Sequence, residues 1–119
     1  MKITLENLHE ATPQEVFNQV YNHAVTQRER SFNEDEQVCM YRHGSLKCAA
    51  GCLIHDDEYD HTMGSETWWY LVDQKKVPKE HSKLIGDLQS AHDDASGFEE
   101  WLASFKTVAA KYKLEIPTK

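Results

Sequence analysis

The sequence predicts a single α+β domain over residues 1–119, with a small central β-hairpin or three-stranded antiparallel sheet packed by an N-terminal helix and two C-terminal helices. Three observations predict it. A capping box opens an apolar stripe near the N-terminus. A segment of alternating residues around His43-Gly44-Ser45-Leu46 has the pattern of two strands and a tight turn. Two stretches of helical periodicity close the chain.

In chain order, Ile3, Leu5 and Leu8 suggest a short strand or extended lead-in. A helix is expected from Gln14 to Arg28. Thr12 is a suitable N-cap, Pro13 suits the first helical position and Glu15 completes the box, while Phe17, Val20, Tyr21, Ala24 and Val25 share one face. The polar stretch 29–36 reads as a loop. From 37 to 54 two strands are expected, with Arg42 facing Lys47 and Tyr41 facing Cys48. Cys39, Tyr41, Cys48, Ala50 and Cys52 then share the buried face. Arg42 and Lys47 lie on the other, exposed face and repel each other mildly unless an acid is near. Residues 55–61 are expected to form a turn or one short helical turn. The block 67–72 fits a buried strand or a short helix, because so brief an apolar run has no usable period. Beyond Pro78, a helix from Glu80 to Asp94 places Leu84, Ile85, Leu88, Ala91 and Ala95 on one side. A last helix, opened by Ser96 and Glu99, carries Phe98, Trp101, Leu102, Phe105, Val108, Ala109 and Tyr112 at helical spacing, which predicts the main hydrophobic anchor of the fold.

Composition excludes some functions. The net charge of −7 disfavours a nucleic-acid partner, since phosphate binding needs an excess of Lys and Arg. Residues 1–60 carry 5 basic and 11 acidic side chains, while 61–119 carry 8 and 9. That acidity serves solubility, or fits the N-terminal half to a basic partner. The longest apolar run, Trp68 to Val72, is too short for a membrane span, and the N-terminus lacks the apolar stretch of a signal peptide, so a cytoplasmic protein is expected. Three cysteines without an export signal are expected to be reduced.

Five constellations bear on function. Cys39, His43, Cys48, Cys52 and His55 raise a zinc site through the three cysteines and a histidine. The spacings Cys-x8-Cys and Cys-x3-Cys lack a Cys-x2-Cys knuckle, and in a strand Cys48 and Cys52 stand about 13 Å apart. Small apolar cysteines filling a core face are the commoner arrangement, so no metal and no cofactor is expected. Cys48 could act as a nucleophile with His81 or His92-Asp93 as base and orienting carboxylate, but a place on the apolar face of a strand assures it neither exposure nor a helix N-terminus or cation beside it, and no local Cys signature of a peptidase class matches. Asp56, Asp57, Glu58 and Asp60 resemble a cation loop only loosely, and a solvated turn in which Asp56 caps a short helix is the simpler reading. Gln89, His92 and Asp93 would either hydrogen-bond the hairpin backbone or line a pocket with Arg42. Of Trp68 and Trp69, adjacent and pointing opposite ways in a strand, one could be an exposed anchor. The candidate binding residues are therefore Arg42, Asp56, Tyr59, Trp68, Gln89, His92 and Asp93, with no catalytic set.

The pattern Tyr41-Arg42-x-Gly44-x-x-x-Cys48-Ala49-x-Gly51-Cys52-Leu53-Ile54-x-Asp56-x-x-Tyr59 resembles a recurring group of short bacterial and bacteriophage proteins that carries no assigned activity. The resemblance extends to Ala11-Thr12-x-Gln14-Glu15-Val16-Phe17, to Leu88-Gln89-x-x-His92-Asp93 and to Trp101, Phe105 and Tyr112-x-Leu114. The group usually has Pro at the position of His55 and often at that of His61, which argues against an essential role for either histidine. The resemblance implies a bacterial or bacteriophage source and no particular chemistry. The expected function is a non-enzymatic accessory that binds a host protein. A small enzyme or ligand-binding domain using Cys48, Arg42 and His92-Asp93 is the alternative, and a zinc-binding domain the third reading.

Overall fold

A computed structural model describes residues 2–28, 32–33, 38–43, 46–64, 66–93 and 98–117. Helix α1 spans Pro13–Gln27. Its capping box forms in full: Thr12 Oγ1 accepts from Glu15 N, and Glu15 Oε1 accepts from Thr12 N. Arg28, in the left-handed region, ends it and returns its N–H to Ala24 O. Val16, Phe17, Val20 and Ala24 face the core. The lead-in has no regular structure over residues 2–4 and then forms a 3-10 turn at Leu8–Glu10, with Ile3 and Leu8 buried. The side-chain amide of Gln19 on α1 bonds both the N–H and the C=O of Ile3.

The α+β expectation is overturned. The described chain is predominantly helical, and its extended pairing amounts to two antiparallel contacts of two residues each. Strand β1 (Phe32–Asn33) pairs with β2 (Val38–Cys39), and β3 (Arg42–His43) with β4 (Leu46–Lys47). No third strand joins either pair among the described residues. The expected register holds, with Arg42 opposite Lys47, but the second strand stops there. Residues 48 to 54 are all buried, with no alternation, and curl into a helical turn: Cys52 N donates to Cys48 O and Leu53 N to Ala50 O. Gly51 permits the turn to pack on the hairpin, since a Cβ there would lie 2.4 Å from Tyr41 O. A run buried on every side has no period, so the pattern that suggested a strand fits this turn equally well.

The block 67–72 is helical. Thr67 caps helix α2 (Trp68–Asp73) by accepting from Tyr70 N, and Trp68 and Leu71, three residues apart, point inward. Helix α3 spans Ser82–Asp93 and packs chiefly on α4 (Phe98–Tyr112), then on α2. The stripe of Trp101, Phe105, Val108 and Ala109 is buried as its periodicity predicts. Ala95 and the capping box at Ser96 lie outside the described residues. Beyond α4 the tail folds back on the first helix, where the Gln14 side-chain amide bonds both backbone groups of Glu115. No described helix is long and apolar enough to cross a membrane.

Candidate functional site

Gln27, at the end of α1, accepts from Lys47 N at 3.0 Å and donates to Lys47 O at 2.8 Å. This anchors β4 and, through the register, sets Arg42 beside the acidic turn. Arg42 Nη1 donates to Asp56 Oδ1 at 2.6 Å, Nη2 donates to Ile54 O at 2.5 Å, and the guanidinium lies 5.1 Å from the Tyr59 ring centroid. Three of the candidate residues, Arg42, Asp56 and Tyr59, thus converge. Lys47 Nζ stands 3.8 Å from the same Asp56 oxygen, so the acid needed to relieve the Arg42/Lys47 repulsion is present. Arg42 is less exposed than the hairpin reading expected, its side chain retaining 15% of its accessible surface. The hydrogen bond from Arg42, its charge and that of Lys47 hold the Asp56 carboxyl below the usual carboxylate range. Burial pushes the Tyr59 phenol up.

The other acids of the turn are spent separately. The Glu58 carboxylate accepts from Leu5 N, Glu6 N and His55 N at 2.9–3.0 Å, stapling the lead-in to the turn. It, rather than Asp56, takes up the turn's backbone N–H. Asp60 caps the 3-10 turn His61–Met63 by accepting from Thr62 N. Among the described residues no group of three His, Cys, Asp or Glu is placed to hold a metal ion. Cys48 Sγ accepts from Gly51 N and Cys52 Sγ donates to Ala49 O, both in the core. Burial pushes the Cys52 thiol up to about 12, which leaves it protonated and unreactive at neutral pH. His81 Nε2 donates to Ala11 O at 2.7 Å, so its ring is engaged with the lead-in to α1.

Gln89, on α3, takes the structural role: its Oε1 accepts from Ala50 N at 2.8 Å across 39 residues of sequence. Trp68 is 1% exposed and packs edge-on against Tyr41, with ring centroids 6.3 Å apart, so it is not available as a surface anchor. The other member of the pair is. Trp69 is 50% exposed and Tyr70 45%, the large hydrophobic side chains most open to solvent among the described residues. His92 and Asp93 lie in the last turn of α3, and their side chains, like that of Cys39, fall outside the described residues. Sequence reasoning missed Tyr70 as well as Lys79 and Lys83, which share a groove with Trp69. The cap at Thr67 is the signal that could have found the exposed pair, because a helix burying Trp68 and Leu71 turns Trp69 and Tyr70 outward. No protein-family model, no curated protein and no solved structure matches this chain.

Proposed function

We propose that this chain is a non-enzymatic accessory protein of bacterial or bacteriophage origin that binds a host protein through the outer face of α2. The observation that carries this reading is the adjacent exposed pair Trp69 and Tyr70. Aromatic side chains are the residues most enriched at binding hot spots, and leaving two neighbours in water forgoes the stabilisation their burial would bring. Origin rests on the resemblance of the Tyr41–Tyr59 segment. Two of the groups the enzyme alternative would use are engaged otherwise: Cys48 is buried, and Arg42 is bonded to Asp56 and Ile54, while the side chains of His92 and Asp93 lie outside the described residues.

A photo-crosslinking residue in place of Tyr70, in the full chain expressed in bacterial cells, tests the reading. Discrete protein adducts are expected at position 70 and not at Lys106, an exposed position on α4. Equal labelling from both positions, or none from either, overturns it.

A further inference from the structure

The face around Trp69 differs in charge from the chain as a whole. Residues 75–83 hold four lysines (Lys75, Lys76, Lys79 and Lys83) against one acid, Glu80, in a protein of net charge −7. Lys76 Nζ is hydrogen-bonded to Thr62 Oγ1. Lys75, Lys79 and Lys83 are exposed and make no ion pair within 4 Å among the described residues, although the charge of Lys83 acts on Asp87 one turn along α3; Arg42 and Lys47 meet Asp56, and Lys111 meets Asp87. Two shallow grooves of about 510 and 490 Å³ meet at Lys79; one is walled by Trp69, Leu84 and Tyr112, the other by Val72, Val77 and Pro78.

Trp69 is also held in place. A Cβ added to Gly86 on α3 would fall 2.9 Å from Trp69 Nε1, so the glycine gives the edge of the indole a seat against the helix. A side chain fixed before binding loses little entropy on binding, which suits an anchor.

We propose that the occupant of this face is an acidic protein segment, its apolar residues on Trp69 and Tyr70 and its carboxylates on Lys75, Lys79 and Lys83. The proposal rests on the protein-binding reading above and names the chemistry of the partner. Aromatics interleaved with lysines also suit single-stranded nucleic acid. The global charge decides against it: a polyphosphate extends beyond the patch and meets the acidic remainder of the molecule. A short acidic segment interacts mainly within a screening length of about 8–10 Å. Asp73 and Glu80, close in sequence to the lysines, and Asp87, on which the Lys83 charge acts, are the acids that limit the positive charge of this segment.

The test is NMR titration of the full chain with a short peptide of Glu and Leu, the same peptide with Lys for Glu, and oligothymidylate. The acidic peptide is expected to shift the Trp69 indole N–H and the amides of Lys79 and Lys83, more weakly as salt rises. K79E/K83E, at exposed positions, is expected to lower its affinity about tenfold or more, or by at least 1.4 kcal/mol, with an unchanged circular dichroism spectrum. Equal shifts with the basic peptide, tighter binding of oligothymidylate, self-association through the face, or no shift with the acidic peptide each overturn the proposal. Adducts at position 70 alongside a failed titration leave a binding face for a partner of other chemistry, whereas failure of both removes the binding reading itself.

Discussion

The guanidinium of Arg42 and the carboxylate of Asp56, 14 residues apart, meet at 2.6 Å and tie the end of the hairpin to the acidic turn. The same guanidinium bonds Ile54 O, so one side chain holds the start of the acidic turn at two points. Because the folded pKa of Asp56 is lowered, its contribution to stability is present above the ordinary carboxylate value and is lost as pH falls through the folded one. Asp56→Asn should therefore weaken the fold at neutral pH and flatten the acid limb of its stability profile, measured as urea midpoint against pH. Arg42→Lys should not restore stability to the level of the parent, since a single ammonium lacks the planar fork that spans two acceptors.

Gln89→Ala leaves Ala50 N, in the core-facing turn, without its acceptor. The expected loss is about 1–3 kcal/mol, the cost of stranding a buried donor. Gln89→Glu retains an acceptor and should lose less. Chemical denaturation of the three proteins side by side gives the comparison.

Gly51→Ala should be among the most damaging single-methyl additions. The new Cβ meets the backbone carbonyl of Tyr41, which is held in the hairpin and has little room to yield. Overpacking of this kind costs about 1–3 kcal/mol, and the upper end is expected here. A thermal transition unchanged from the parent would show that the turn at Gly51–Leu53 shifts freely.

Tyr112 Oη donates to Asp87 Oδ2 at 2.5 Å, and Lys111 Nζ donates to the same oxygen at 3.0 Å. Burial, then the hydrogen bond to Asp87, pushes the Tyr112 phenol up to about 12. Burial opposes ionisation of Asp87, but the bonds from Tyr112 and Lys111 outweigh it and its pKa is lowered. With the folded tyrosine pKa above the unfolded value near 10, its contribution is complete below about pH 10 and fades as pH rises toward 12. The stability gap between the parent and Tyr112→Phe should be constant at neutral pH and narrow over that alkaline window. A gap independent of pH up to 12 would remove the hydrogen bond as its source.

Much of the fold was legible because it is written in short-range signals. Thr12 and Glu15 sit three residues apart, so the capping box of α1 needs no tertiary information. Trp101, Phe105 and Val108 recur with the helical period and are buried accordingly. Of the site, Arg42, Asp56 and Tyr59 were singled out individually, and the Arg42–Lys47 register showed where an acid would be welcome. Which acid would fill that place was not legible, because Asp56, Asp57, Glu58 and Asp60 are equivalent in composition and differ only in where the turn points them.

The sequence by itself determined the local elements with a period or a cap: α1, α4, most of α3 and the Arg42–Lys47 pairing. Only the tertiary structure decided that the hairpin ends at Lys47 and that Cys48–Ile54 curls into the core. A run buried on every side shows no alternation, and the choice turns on the approach of Gly51 to Tyr41 O. It also decided which tryptophan faces water. Neighbouring indoles are interchangeable in composition, and the cap at Thr67, with α3 lying beneath α2, turns Trp68 into the core and seats the edge of Trp69 over Gly86.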